Sequence, residues 1–561
     1  MQPVQYRESF GAGATGWASL SIATIHSLPA LHLTLQTMTK MIQAAKILGQ
    51  KSHVVPGITL TSHTRPDLRT NHSQASYELR STSSKYLVTM VRCKTHFQIV
   101  VCYLKVVTQS RTASSIAIYD DTIVLTLPSS LGNPSAGTIQ LFARSALKAE
   151  KPADYTSKSH LELSKTQLPW LVYLQGGPGF ECRSPEKVSW TQTILDKGYR
   201  VLMLDQRGTG LSTAISQSSL QLRGDEKVQA DYMKSFRADS IVKDCEAVRK
   251  ALTEDYPEEK KKWSIMGQSF GGFCCLTYLS HYPEGVKEAF LFGGLPPLRD
   301  DPDEVYERLY ARVKSRNEGY YAKYPEDIDR VKRIVKLLSR FGDTTVRVQG
   351  GEGFLSARRF LQLGIYFGKH GGFDDVHEFV LRADTDLTQF GHLTRPTVLA
   401  LEAAQSWDTN VIYALLHEPI YCQGKASNWS AERLISKHPE FSLSRVDGDE
   451  PVYFTGEMIY PFMFDVYPEL AKLKTVGKLL AEEKDWPQLY DKEQLKKNEV
   501  PTYAAVYVDD MYVDLDLSME TANSIRGCKT FITNTMYHNG IGAKTDEVLR
   551  QIFSLRDDVM D

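Results

Sequence analysis

The segment Gly267-Gln268-Ser269-Phe270-Gly271-Gly272 follows a short apolar run, Trp263–Met266, and precedes another, Phe273–Leu279. The first run reads as a strand and the second as the start of a buried helix. A serine set between glycines where a strand turns into a helix is the context of an activated nucleophile. The turn is so tight that flanking side chains would clash, and the serine hydroxyl is left exposed. The helix N-terminus behind it favours negative charge as it develops. The chemistry implied is acyl transfer. Ser269 would attack a carbonyl, a base would take its proton, a carboxylate would orient the base, and two N–H groups would hold the oxyanion.

Both donors have candidates. One is the N–H of Phe270, next to the nucleophile. The other is the N–H of Gly177 in Gln175-Gly176-Gly177-Pro178-Gly179, a glycine-rich turn directly after the apolar run Trp170–Leu174. That turn lacks the Lys-Ser/Thr of a phosphate-binding loop, so phosphate is not its ligand. The base and acid should follow in the order serine, carboxylate, histidine, each just after a late strand. Thr502–Val508 ends in Asp509-Asp510, and Thr530–Ile532 is soon followed by Tyr537-His538-Asn539-Gly540. His538 is therefore the expected base. The acid is Asp510 or Asp509, with Asp514 and Asp516 as further rivals. A third motif, Asp205-Gln206-Arg207-Gly208-Thr209-Gly210-Leu211-Ser212, follows the run Arg200–Leu204. Its Asp205 and Arg207 are expected to form a structural ion pair that shapes the floor of the site.

These motifs need a frame. Short apolar runs at Trp170–Leu174, Arg200–Leu204, Trp263–Met266, Ala289–Phe292, Thr502–Val508 and Thr530–Ile532 alternate with amphipathic stretches. That pattern predicts a mostly parallel sheet with helices on both faces, here of the α/β-hydrolase kind. The alternation stops between about residues 296 and 499. There Ile328, Val331, Val335 and Leu338 fall on one helical face, as do Val305, Leu309 and Val313. The expectation is an α/β core in two parts, 137–295 and 500–561, with a helical cap, 296–499, over the carboxyl edge of the sheet where ligands bind in open α/β folds.

The first 136 residues read differently and are expected to be poorly structured. Up to Tyr119 there are 12 Lys/Arg against 3 Asp/Glu, and Ser, Thr and His are frequent. A transit-peptide-like leader, a disordered tail and an extension of the gene model all stay open. Over the whole chain the net charge is −1, so no global field recruits nucleic acid or an anionic membrane. No run of roughly eighteen apolar residues predicts a membrane span. The eight cysteines show neither a disulfide framework nor metal-ligand spacing. They point to a reducing compartment, the cytoplasm, with no metal or organic cofactor.

Taken together, the three motifs resemble those of the proline iminopeptidase (prolyl aminopeptidase) family, in particular its larger fungal-type members. The family pattern of H-G-G-P-G, D-Q-R-G-x-G-x-S and G-x-S-x-G-G stands here as Gln175–Gly179, Asp205–Ser212 and Gly267–Gly272, and the likeness runs from about Gly137 to the C-terminus. Gln175 departs from the family's usual histidine, and Tyr537-His538-Asn539 from its commonest setting of the base. The family's acid-to-base spacing selects Asp510. The resemblance also implies a cis Gly177–Pro178 bond and acidic residues from the cap on the substrate's α-amine. Glu418, in Leu416-His417-Glu418-Pro419, and Glu457, in Thr455-Gly456-Glu457-Met458, take that role. Tyr413, Tyr421, Tyr453, Phe454, Tyr460 and Phe462 are the expected slot for a pyrrolidine ring. The implied activity is release of N-terminal residues, preferentially proline, from short peptides with a free N-terminus. An esterase using the same triad and a non-catalytic binding protein of the same fold are the two rivals.

Overall fold

The computed structural model describes the strands that lie between residues 59 and 148, then residues 167–340, 342, 346, 353–405 and 407–558, with side chains from residue 139 onward. Twelve strands make one sheet. Six of them, β1 (Thr59–His63), β2 (Gln74–Ser81), β3 (Ser84–Cys93), β4 (His96–Ala113), β5 (Ile116–Ser130) and β6 (Asn133–Lys148), form an antiparallel series. The other six are β7 (Trp170–Leu174), β8 (Arg200–Asp205), β9 (Trp263–Gln268), β10 (Val286–Phe292), β11 (Thr502–Tyr507) and β12 (Cys528–Thr533). Their order is β8-β7-β9-β10-β11-β12, all parallel, and β6 joins this half by pairing antiparallel with β8.

Each of the six apolar runs read as strands falls on a parallel strand. Alternate residues then serve opposite faces, as the two-residue strand period requires. Trp170, Val172, Leu174, Ile265, Leu291, Ala504 and Val506 enter one core. Leu171, Tyr173, Met266, Phe290, Phe292, Ala505 and Tyr507 enter the other. The first face also packs residues of α2 (Ala238–Leu252) and α3 (Phe270–His281), and the second those of α1 (Thr191–Asp196) and α10 (Thr545–Asp557). Both faces of the inner strands are thus covered, which explains why they are apolar throughout rather than alternating, while the edge strand β12 stays part-exposed.

Regular structure begins earlier than residue 137. Strands β1 to β5 fall within the stretch expected to be poorly structured, and runs such as Ile99–Leu104 are of the β-branched and aromatic kind that favours strands. The polar, basic average of the region hides them. The first 58 residues lie outside the described residues.

Between β10 and β11 the described residues hold helices and 3-10 turns. Among the helices are α4 (Asp303–Lys323), α5 (Asp327–Ser339), α6 (Gly372–Phe390), α7 (Val411–Leu416) and α8 (Ser430–Ile435); α9 (Leu515–Ser524) comes after β11. Val305, Leu309 and Val313 of α4 and Val331, Val335 and Leu338 of α5 are all buried. Arg237, ahead of α2, pins the block to the core. Its buried guanidinium donates to the carbonyls of Pro419 (2.9 Å), Cys422 (2.6 Å) and Pro487 (2.7 Å) and lies over the Trp486 ring.

The motif after β8 holds its loop by a different pairing from the expected one. Arg207 pairs with Asp244 of α2 (Nε to Oδ2, 2.7 Å), not with Asp205. Asp205 accepts the N–H groups of Cys182 and Leu211, each at 2.9 Å. Asp205 closes β8 and Arg207 lies in the loop beyond it, so the strand period that sets residues two apart on one face does not extend to Arg207.

The Arg207–Asp244 pair is fully buried, so Asp244→Ala leaves the guanidinium without its carboxylate. A cost of about 3–5 kcal/mol is expected, read as a lower urea midpoint. Replacing both residues by apolar side chains should recover most of it.

Candidate active site

Among the parallel strands the chain runs from β7 outward to β8, then crosses back past β7 to β9. The crevice between the carboxyl ends of β7 and β9 is the switch point of the sheet. Two of the motifs end there. At the tip of β9, Ser269 takes φ 56° and ψ −129°, a strained conformation that precedes α3 and leaves the residue only part-buried. The glycine two residues on is needed for space: a Cβ on Gly271 would stand 1.9 Å from the carbonyl oxygen of Leu174 at the end of β7.

The glycine-rich turn after β7 comes against the serine. A Cβ on Gly176 would meet the Gln268 carbonyl at 2.9 Å and the Ser269 Cβ at 3.1 Å. Gly177 has φ +131°, and the Gly177–Pro178 bond is cis. The side-chain amide of Gln206 donates to the Gln175 carbonyl at 3.1 Å and ties this turn to the loop after β8. Phe270 opens α3, so its N–H has no acceptor within the helix.

His538 stands beyond β12. Its Nδ1–H donates to Asp510 Oδ2 at 2.8 Å, with Oδ1 at 3.1 Å. Asp510 is buried and also accepts the N–H groups of Tyr512 (2.8 Å) and Val513 (3.0 Å) on Oδ1. The rival carboxylates are engaged elsewhere. Asp509 is part-exposed and 3.4 Å from Arg312, Asp514 caps the first turn of α9, and Asp516 faces Arg308 at the surface. The Tyr512 ring packs edge-on against His538, 4.6 Å between centroids. Gln268, the residue before the serine, donates its side-chain amide to the His538 carbonyl at 3.3 Å.

Ser269, His538, Gly176 and Gly177 line one cavity of about 280 Å³, together with Glu457, Tyr413, Phe180, Trp407 and Ile365 from the surrounding loops and the helical block. Burial works against protonating His538. The charge of Asp510, the hydrogen bond to it and the charge of Glu457 outweigh burial and raise the imidazole pKa above its ordinary 6.5. Glu457 shows the opposite balance. Burial pushes its carboxyl up, but His417, the charge of His538 and the Tyr413 hydroxyl more than offset that, so its pKa falls below the usual range. An ionised carboxylate therefore faces the serine and the imidazole.

The two glutamates expected on a substrate amine part company. Glu457 lines the cavity. Glu418 does not: its carboxylate accepts the N–H groups of Ser430 (3.1 Å) and Ala431 (3.0 Å) at the start of α8. Burial raises its pKa, with those N–H bonds only partly offsetting. A carboxylate drawn into capping a helix is not free to face a ligand, and the expectation for Glu418 is corrected accordingly.

The expected aromatic slot is corrected too. Of its six residues only Tyr413 lines this cavity, where its ring packs on Phe180 (5.4 Å) and Trp407 (5.1 Å). Tyr460 and Phe462 line a separate cavity of about 440 Å³, Tyr421 packs on Phe273, and Tyr453 on Tyr321 and Phe441. Phe180 directly follows Gly179, so its place beside the motif is a sequence signal. Trp407 and Ile365 carry none. They reach the cavity only through the packing of the helical block.

The alpha/beta hydrolase fold family model matches residues 169–344. Proline iminopeptidase aneH of Aspergillus aculeatus is 45% identical over 435 residues, covering 78% of this chain and 93% of its own. A proline iminopeptidase of Aeromonas sobria is 40% identical over 423 residues, 75% of this chain and 92% of its own. Among solved structures, a thermophilic esterase from Thermogutta terrifontis superposes with a TM-score of 0.36 at 13% identity, covering 77% of this chain and 98% of its own.

The closeness of β7, Ser269 and α3 makes Gly271→Ala a sharp probe of the turn. An overpacking cost of about 1–3 kcal/mol or more is expected. Labelling of the serine by a fluorophosphonate should slow at least tenfold (roughly 1.4 kcal/mol in barrier). Wild-type labelling rates in this variant would contradict the geometry.

Proposed function

The chain belongs to the proline iminopeptidase family, and on that footing we propose that it is a serine aminopeptidase releasing N-terminal residues, preferentially proline, from short peptides. The observation that carries this reading is the ionised Glu457 carboxylate in the cavity that Ser269 and His538 line. An esterase substrate without an amine has no use for a buried charge. A peptide's α-ammonium has one, because a charge taken out of water needs a partner of opposite sign.

In the mechanism proposed, Ser269 Oγ attacks the carbonyl of the first residue while His538 Nε2 takes its proton. Asp510 holds Nδ1–H and stabilises the imidazolium. The N–H groups of Phe270 and Gly177 receive the negative charge on the carbonyl oxygen. His538 then returns the proton to the leaving amine, the C–N bond breaks, and an acyl-enzyme remains on Ser269. Water enters, His538 takes its proton, and the amino acid leaves as Ser269 regains its hydrogen. No step calls on a metal or an organic cofactor. The helical block acts as the cap, walling the cavity with Trp407, Ile365 and Tyr413 so that a free N-terminus enters and a folded chain does not.

The cytoplasm is the proposed location. The described cysteines support it, all six being free thiols, five of them buried. Among the described residues no helix is long and apolar enough to cross a membrane.

Prolyl nitroanilide and nitrophenyl cyclopentanecarboxylate, the same ring without the amine, separate the aminopeptidase from the esterase. Ser269→Ala should lose about 10⁴-fold or more in kcat on both. Glu457→Gln should lower the prolyl-to-ester ratio of kcat/KM roughly 30- to 1000-fold, about 2–4 kcal/mol for a buried charge partner. A ratio that does not move would favour the esterase.

The pH profile gives a further test. His538 must be neutral to act as base, and its pKa is raised. On the ester, kcat/KM should therefore fall with acidification in a limb centred above pH 6.5. Glu457→Gln removes a negative charge that favours the imidazolium, so that limb should move to lower pH.

A further inference from the structure

Glu457 sits in a segment, residues 451–460, that is neither helix nor strand. Nothing in the backbone pattern fixes the direction of its carboxylate, so side chains must do it. Tyr413 O–H donates to Oε1. Oε2 lies 3.7 Å from His417 Nε2, an ion-pair distance but too long for a full hydrogen bond. Both partners come from one place. Tyr413 is in α7 and His417 caps it, with the His417 N–H donating to the Tyr413 carbonyl at 3.0 Å. Four residues apart, they share a helix face, and their rings pack 4.9 Å apart.

His417 is itself held from behind. The Tyr306 hydroxyl of α4 lies 3.1 Å from His417 Nδ1, and both residues are buried. Burial raises the pKa of Tyr306, which keeps its proton to give. If Tyr306 donates to Nδ1, the ring proton is on Nε2 and points toward the carboxylate. The other tautomer would aim a nitrogen lone pair at an anion.

We propose that His417, with its tautomer set by Tyr306, is a positioning residue for the substrate amine: it aims Glu457 so that Oε1 is tied to Tyr413 while Oε2 stays open to an ammonium group. The inference rests on the aminopeptidase reading and deepens it. The long Nε2–Oε2 gap fits this arrangement, since a closed hydrogen bond there would occupy the oxygen the amine needs.

The test compares prolyl nitroanilide with nitrophenyl cyclopentanecarboxylate in the full-length enzyme carrying His417→Ala, His417→Gln, Tyr306→Phe or Glu457→Gln. His417→Ala should lower the prolyl-to-ester ratio of kcat/KM about tenfold, mostly through KM on the prolyl substrate, as expected when the charge that receives the amine loses its orientation. Tyr306→Phe, which deletes only the hydroxyl, should shift the ratio the same way by roughly threefold. It also answers the question should His417→Ala fail to fold. The amide of His417→Gln stands in for Nε2–H and should restore most of the ratio. A wild-type ratio in both His417→Ala and Tyr306→Phe, with or without an equal loss on both substrates, overturns the proposal. If Glu457→Gln moves the ratio and the other variants do not, only the positioning role falls. If Glu457→Gln leaves the ratio unmoved, the amine anchor falls and His417 with it.

Discussion

The site depends on one steric fact, that three stretches of backbone meet at Ser269 with no room for side chains between them. The end of β7, the first turn of α3 and the loop after β9 approach so closely that a methyl group on Gly271 would overlap a carbonyl of β7. That crowding holds the serine at a positive φ, clear of the sheet and ahead of a helix N-terminus. It also brings the Gly176–Gly177 turn against the serine. The proposed nucleophile and oxyanion donors are therefore set by the same contact, and neither can be moved alone.

Around this point, the cavity contains opposing charge balances. Burial disfavours every ionised group in it, yet the imidazole of His538 is pushed toward its charged form and the carboxyl of Glu457 toward its own. Each is among the causes of the other's shift. Glu418 has no such partner in reach except His417, and burial dominates its carboxyl. Two glutamates from the same helical block thus end in opposite protonation tendencies because one faces His417, His538 and the Tyr413 hydroxyl and the other caps a helix.

Much of the site was legible in the sequence because its parts are local. A strand ending in Gly-Gln-Ser-Phe-Gly-Gly, a glycine turn after another strand, and a histidine after the last strand are all read within a few residues. Asp510 needed the family's spacing, since Asp509 is its neighbour, and burial against His538 is what tells them apart in space. The inner parallel strands were legible for the same reason, being buried on both faces. The helical block was not legible in detail. Trp407, Ile365 and His417 reach the cavity through helix packing, which a single sequence does not encode at any fixed spacing from the motifs. Glu418 and Glu457 both stood in aromatic surroundings, and only contacts far along the chain separate a helix cap from a cavity wall. Arg207 likewise looked toward Asp205 by nearness in sequence, while its partner lies 37 residues on.

Strands β10 and β11 pair directly, Ala289 beside Thr502 and Phe292 beside Ala505. The sheet therefore closes as though the roughly two hundred residues between those strands were absent, and the entropy of closing a loop grows only slowly with its length. In the mechanism proposed, the groups that break the bond come from the sheet side of this junction, and the group that reads the substrate's charge comes from the detour. Heredity can act on the two separately. On the mechanism proposed, a change confined to the detour would alter which molecules are admitted and leave the strands that carry the bond-breaking groups in register.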